Sequence, residues 1–581
     1  MLSWQKFFNQ NLFKPKKQKF PNAMKNSFYA LILVIFLITS CKEAVENTTP
    51  TGEIQLSEAL NSIAGNAKII QDFKTMSFKV DGISYEYEQD IPSLPTPLVG
   101  SKYIYECYSN LSARKLKMDY SYCEFNQPAY YETPGPNIFI SDKVGSASDH
   151  YVWKSYYFND VAPVAMFSTE IEAHLKVQMM SNPLQLLKNV LNKNKETAST
   201  KNLALSFSHE KFPGIIFEVF FDKDTKLPTR VSTDEVDFLQ GNVKYEVVFK
   251  NWTKVNGVQF PTTLEHYHNK NLLRKETLSN IKVNPILSDS FFNPEVVNDP
   301  IAYDEVQSKI GVYNSQFIMR WNAWNLGWPE PVNDGAFDMG TLDMRPYKMD
   351  PQYVSPTVKI IGRPDNRLWN VAIKTAGGLI LVDTPLNQDW TRSLIDAAKK
   401  AFNENNIKAI ISTHCHHDHF AGIREGLTET GNIYVAEESV PFLNKVASAN
   451  HSMNKDKFAM NPKKLTVNAV KDVTILENGK IEIHRLNVKK SSATAHSSDM
   501  LIVYLPEEEI IIQADQLWSG TFMKVWGGYT PRGFTEKAKV SIRNNSQYLL
   551  DYIKEKNLKV SKIISQHGGL GSVQDLYTIT K

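Results

Sequence analysis

Alternation sets the first half of the chain apart from the second. Between about residues 56 and 300, polar and apolar residues take turns in long runs, as in Val243-Lys244-Tyr245-Glu246-Val247-Val248-Phe249. That is the period of amphipathic strands. Hairpin signals recur at Val80-Asp81-Gly82-Ile83, at Asp222-Lys223-Asp224 before Leu227-Pro228, and at Val255-Asn256-Gly257-Val258. Helical spacing shows in two places. Ser57 to Lys74 has apolar positions at Leu60, Ile63, Ala64, Ala67 and Ile70. A second run starts at Asn182-Pro183, a cap followed by proline in the first turn, and continues through Leu184, Leu187 and Leu191. The pattern predicts a large curved antiparallel sheet with a helix or two against it. No cluster of His, Cys or carboxylates shows in this half. His266 and His268 alternate on one strand face and read as surface residues.

From about Val354 the rhythm becomes strand, strand, helix, strand. Lys359–Ile361 and Trp369–Thr375 read as strands, and Gly377-Gly378 turns into the apolar run Leu379 to Val382, closed by Asp383. A helix follows from Thr391 through Ile395, Ala398 and Phe402, then a strand from Ile407 to Ser412. Later strands cover Met500–Leu505, Ile510–Ala514 and Lys562–Gln566. Between the halves, residues 301–350 are dense in Trp, Asn, Gly and Pro. With Trp321, Trp324 and Trp328 they read as a connector packed on a domain surface.

A length of 581 residues calls for two or three domains. The formal net charge of +3 is close to balance and gives no sign of a nucleic-acid partner. Residues 1–41 stand outside the fold. Tyr29 to Thr39 is an apolar run too short to span a bilayer comfortably but suited to a signal-peptide core, with Lys25 before it. It ends in Ile38-Thr39-Ser40-Cys41, which resembles the lipobox of bacterial lipoproteins. The resemblance implies that Cys41 is lipidated, that residues 42–55 are a tether, and that the protein is anchored in the cell envelope at a membrane. Met24 rather than Met1 would begin an ordinary signal. Three cysteines then remain. Cys107 and Cys123 sit in strand-like runs of an exported chain, where a cross-strand disulfide is open but not fixed by spacing. Cys415 reads as a packed thiol.

Only thirteen histidines are present, so a cluster of them is informative. Thr413-His414-Cys415-His416-His417-Asp418-His419 follows an apolar strand and leads into Phe420-Ala421-Gly422, which reads as a strand ending in a loop that opens a helix. Imidazole and carboxylate are ligands that zinc favours, and this spacing, H-x-H-x-D-H, can serve two adjacent metals. Further metal-ligating side chains stand where apolar strands begin or stop: His496 before Met500, Asp515 after Ala514, and His567 after Gln566. Asp383, also at a strand end, reads equally as a carboxylate that orients a histidine or a loop amide and as a turn cap. Ser497 and Ser498 read as turn residues, not nucleophiles.

This order of ligands, with 77 residues from His419 to His496 and 19 from there to Asp515, resembles the metallo-β-lactamase superfamily across about 351–581. The resemblance implies an αββα sandwich with a dinuclear site, usually zinc. In it His414, His416 and His496 hold one metal, Asp418, His419 and His567 the other, and Asp515 bridges. It also implies a metal-dependent hydrolase acting on a small molecule, with Asp418 handling protons and a hydroxide formed from a water between the metals. An aspartate at the bridging position, where the best-known β-lactamase subclass has cysteine, points to the glyoxalase- and lactonase-like branches. Iron or manganese in place of zinc, with redox chemistry for iron, stays open. More weakly, Thr225 to Arg230, Tyr245 to Phe249 and Asn256 to Pro261 resemble the LolA-like half-barrel of lipoprotein carriers, so residues 56–300 are expected to be a β-rich, LolA-like domain. That sets up a second function: an envelope lipoprotein that binds apolar ligands, with a non-catalytic, metal-stabilised C-terminal domain. A fragment spanning 350–581 that hydrolyses substrate alone would separate the two.

Overall fold

The computed structural model describes residues 56–86, 98–126, 130–133, 137–148, 164–166, 168–191, 199–201, 203–295, 349–362, 369–486, 496–517 and 536–581. The signal and tether readings, Cys41, and the three connector tryptophans lie outside these. Among the described residues no helix is long and apolar enough to cross a membrane.

The alternating half forms one fourteen-stranded sheet, antiparallel at every described pairing. Its first long strand, Met76–Glu86, sits mid-sheet between Leu98–Asn110 on one side and the last strand, Asn271–Val283, on the other. The chain therefore builds outward along one flank and returns along the other. The turn at Asn256-Gly257 has positive φ at both residues, 49° and 86°, as a tight two-residue hairpin requires. At Asp222 the carboxylate Oδ1 accepts from the amides of Asp224 and Thr225, closing the second expected turn.

The third expected hairpin does not form. Val80 to Ile83 runs straight through the central strand, and Gly82 serves a different need. It lies in register between Tyr103 on one neighbour and Glu276 on the other. Because Gly82 has no side chain, the Tyr103 ring can lie across it, where an added Cβ would come within 2.2 Å of the ring. The Tyr103 hydroxyl then donates to Glu276 Oε1 at 2.8 Å. The glycine signals close approach, not a turn.

Around this contact the sheet carries a buried polar cluster that the linear pattern did not show. His266 Nδ1 lies 2.8 Å from the Tyr245 hydroxyl and 3.2 Å from Arg274 Nη2, and its Nε2 is 3.5 Å from Glu276 Oε2. Burial works against the charge of Glu276, but His266, Arg274 and Tyr103 more than offset it and hold the carboxyl at about 2. His266 and His268 are thus not surface residues; both are buried. Their shared strand face points to the core because a long helix covers the sheet.

That helix, Ser168–Met180, is absent from the periodicity because every one of its residues is buried and no single apolar stripe is needed. Its polar side chains are met individually. Lys176 pairs with Glu235 at 2.7 Å, Glu172 with Arg114, and the Cys107 thiol donates to Gln178 Oε1 at 3.6 Å. Cys107 is a free thiol. The register places it opposite Met118 while Cys123 stands opposite Tyr103, four residues along, or roughly 13 Å at strand rise. That exceeds disulfide reach. The other expected helices appear at Pro183–Leu191, capped by Asn182 Oδ1, and as two short pieces, Leu56–Ala64 and Ala67–Gln71, interrupted at Gly65.

The second half stacks two mixed sheets face to face. One has seven strands from Asp350–Tyr353 to Thr466–Val470; the other has six, from Val473–Leu476 to Gly569–Ser572. Between them lies an apolar layer with Val371, Ile380, Ile411, Ile483, Val503 and Ile564. Helix Gln388–Phe402 packs on the outside of the first sheet through Leu394, Ile395 and Ala398. Helices Glu536–Glu555 and Val573–Thr580 pack on the outside of the second through Leu549, Leu550 and Leu576. This is a helix–sheet–sheet–helix sandwich, and it aligns strand ends along one edge.

Gly82→Ala is expected to push Tyr103 off Glu276 and to destabilise the protein by about 1–3 kcal/mol. A lowered urea midpoint at an unchanged slope is the check; a midpoint equal to wild type would mean the ring is not confined.

Candidate metal centre

The strand Ile407–Ile411 ends at the loop that carries the histidines, and helix His417–Phe420 begins within it. His496 precedes the strand Leu501–Leu505, Asp515 follows Ile510–Gln513, and His567 follows Lys562–Ser565. The sandwich brings all seven expected residues together in two groups. His414, His416 and His496 offer ligand atoms within 4.8 Å of one another, and so do Asp418, His419, Asp515 and His567.

Asp515 lies between the groups. Its Oδ2 is 2.8 Å from His419 Nε2, 3.4 Å from His414 Nε2 and 3.6 Å from His496 Nε2. Its Oδ1 is 3.0 Å from His567 Nε2. Asp418 Oδ2 lies 3.3 Å from His419 Nε2 and 3.2 Å from His567 Nε2. Despite these distances, neither Asp515 Oδ2 nor His414 Nε2 makes a hydrogen bond. Buried polar atoms left this way are costly, so they need a partner. His496 Nε2 also lies 2.8 Å from His416 Nδ1 and His567 Nε2 3.2 Å from His419 Nε2, so ring nitrogens and carboxylate oxygens are crowded together as ligands are around a shared cation. Three imidazoles form one group; two imidazoles and two carboxylates form the other. This donor set fits zinc and also iron or manganese.

The outward nitrogens of two rings fix which nitrogen faces inward. His419 Nδ1 lies 3.1 Å from Asp383 Oδ2 and 3.0 Å from Gln566 Oε1. Both are acceptors, so Nδ1 carries a proton and Nε2 is the nitrogen turned to the site, where a cation would take its lone pair. Thr413 Oγ1 donates to Asp383 Oδ2 at 2.7 Å and so accepts from His414 Nδ1 at 3.1 Å, which leaves His414 Nε2 free as well. Asp383 also takes the Thr413 amide at 2.5 Å. Of its two readings, the one in which it orients a histidine and a loop amide describes the contacts. Cys415 is a buried thiol in an apolar cluster with Phe420.

Two supports escaped the sequence reading. Gln566 was hidden by being an ordinary amide beside His567. Asp499, fully buried, accepts from the Cys415 amide at 2.9 Å and from the hydroxyls of Ser439 and Ser497. It ties the loop of the first histidines to the loop of His496. Only its place three residues after that histidine could have hinted at this.

Electrostatics match a site awaiting positive charge. Burial disfavours ionised carboxylates, yet the surrounding imidazoles hold Asp418 and Asp515 well below their ordinary range. Burial likewise opposes charge on His567, but Asp515 and Asp418 outweigh it and raise the ring to about 9; His419 is raised for the same reason. His414, His416 and His496 go the other way, pushed down chiefly by burial, His416 to about 4. Without metal, protons on His419 and His567 supply the compensating charge. The His567 proton stabilises the metal-free fold fully below 6.5, and that contribution is lost as pH rises through about 9. A cation held by these rings would have to displace both protons. Zinc binding at pH 7 is therefore expected to release protons from His567 and His419 and to tighten as pH rises toward and through about 9, where His567 loses its proton unaided. Calorimetry in buffers of different ionisation heat checks this; binding without proton release would contradict it.

Comparison with known proteins bears on the same segment. No curated protein matches the chain. Among solved structures, DIM-1 metallo-beta-lactamase is similar over 40% of this chain and 96% of its own, at 17% identity and a TM-score of 0.26. FIM-1 metallo-beta-lactamase from Pseudomonas aeruginosa, in its mono-zinc form, is similar over 41% and 96%, at 15% identity and a TM-score of 0.29. Residues 369–567, which span the strand before Asp383 through His567, match the sequence profile of the metallo-beta-lactamase superfamily, and the C-terminal region holds a domain of that superfamily.

Proposed function

We propose that the chain is a hydrolase that uses two divalent cations, in the first instance zinc, to cleave an ester, lactone, thioester or amide-type bond in a small molecule. One observation carries the reading: seven ligand side chains, six of them buried and His496 partly so, converge in two groups with Asp515 between them, and two of the inward atoms, His414 Nε2 and Asp515 Oδ2, have no hydrogen-bond partner. Cations bound there supply Lewis acidity, lowering the pKa of a water and polarising the oxygen of the bond to be cleaved.

The chain's own residues do the rest. Asp418, held ionised between His419 and His567, orients the attacking water, accepts its proton and passes one to the leaving group. Asp383 and Gln566 keep the His419 ring from rotating, and Thr413 does the same for His414. Ser497 is committed to Asp499 and is not a nucleophile. Buried Phe420 and Cys415 keep water from the back of the loop.

Elemental analysis of the purified chain is expected to find about two metal ions per molecule, and hydrolysis across a panel of lactones, thioesters and esters is expected to stop on chelation. Asp418→Asn is expected to lower kcat by about 10²–10⁴-fold. A chain that takes up no metal after reconstitution would overturn the proposal.

The envelope location is proposed on the Ile38-Thr39-Ser40-Cys41 sequence alone. Cys41→Ser is expected to move the protein from the membrane fraction to the soluble fraction of the producing bacterium; retention at the membrane would rule out the anchor.

A further inference from the structure

The strands Pro228–Asp237 and Gly241–Val255 are joined by a tight tip, and that tip is not at the surface. Asp237 Oδ1 accepts from the amides of Leu239 at 2.9 Å and Gln240 at 2.8 Å, which fixes the turn and holds Leu239 out from it. Leu239 is fully buried. The apolar cluster it joins belongs otherwise to the C-terminal half and includes Cys415, Phe420, Ile423 and Phe442. Cys415 stands between His414 and His416, and Phe420 follows His419. One leucine from the β-rich half is therefore part of the apolar cluster that backs the metal-ligand loop.

Polar contacts lock the tip in place. The Asn242 amide donates to the Asn450 carbonyl at 2.5 Å, its side-chain Nδ2 donates to Ser452 Oγ at 2.7 Å, and its Oδ1 accepts from the Met453 amide at 3.0 Å. Gly241, at φ +72°, brings backbone against backbone: a Cβ there would lie 2.2 Å from the Asn450 oxygen. The receiving segment is itself rigid. Arg424, in the helix Ile423–Glu429 just after the ligand loop, grips Asp456 with two bonds of 2.5 and 3.0 Å and donates to the Val446 carbonyl at 2.8 Å.

We propose that the tip Asp237–Gly241 is an internal prop for the metal centre, and that Leu239 is a positioning residue for metal uptake. Ligand atoms must be held to a fraction of an ångström for tight binding, and a loop whose apolar backing is removed relaxes into the space left behind. The β-rich half is then a working part of the site, and a fragment spanning 350–581 would lack a piece of the loop's packing. The inference rests on the metal-site reading above.

The test uses the full chain. Leu239→Ala is expected to weaken zinc binding, measured by chelator competition, by about tenfold or more, as loss of outer supports to metal ligands does. In the metal-free protein it is expected to speed amide exchange across residues 413–421. Leu239→Met should restore both. Leu205→Ala, at an equally buried position on a strand of the β-rich half and in a different apolar cluster from Leu239, is the control for general destabilisation and should change neither. If Leu239→Ala does not fold, Asn242→Ala, which removes two of the three bonds at the tip, is expected to shift both readouts in the same direction by less. Unchanged zinc affinity and exchange in the tip variants, or equal losses in Leu205→Ala, would overturn the prop. A wild-type chain that binds no zinc would defeat the metal-site reading instead, while the exchange measurement on metal-free protein would still judge the prop.

Discussion

Asp418 and Asp515 keep their negative charge in a place water scarcely reaches, and the architecture around them follows from that. A lone buried carboxylate would take up a proton; these two stay ionised because imidazoles from three strand ends, one of them Asp418's own, close in on them. The arrangement is tolerable without metal only because His419 and His567 hold protons that metal would replace. Buried charge of this kind adds little to stability, since desolvation opposes it. It is the signature of a site whose partner arrives from outside the chain.

Holding such a site open requires a rigid frame, and the frame is two sheets whose strands end along one edge. The layer between them is almost wholly apolar, so register slips are penalised and each strand end is fixed. Asp383 and Asp499 extend that rigidity into the loops, one binding Thr413 and His419, the other the Cys415 amide and Ser497. The β-rich half adds a third restraint through Leu239. Residues Gly52–Lys581 form one compact unit, which agrees with that insertion.

The β-rich half contains its own buried ionic chemistry. Arg274, Glu276, His266 and Lys176–Glu235 sit between the sheet and a helix that shows no amphipathic face. Each charge has a partner from another element, and the geometry depends on Gly82 leaving room for Tyr103. Such networks specify one arrangement more than they add stability.

Local chemistry was enough to mark the candidate ligands: His414, His416, Asp418, His419, His496, Asp515 and His567 stand beside short apolar runs, and strand ends are where a sandwich places its functional groups. It was enough, too, for the strand rhythm and for the Asn256-Gly257 turn, because period and turn residues act over a few neighbours. What the chain could not announce by itself depends on contacts between distant segments. Gly82 reads as a turn until Tyr103 and Glu276 are set on either side of it. His266 and His268 read as surface residues until helix Ser168–Met180 covers them, and that helix hides because burial on all sides erases the stripe that periodicity detects. Gln566, Asp499 and Leu239 carry no local signal, since an amide, a carboxylate and a leucine become supports of the site only when tertiary packing delivers them to the His419 ring, the Cys415 amide and the apolar cluster behind the loop.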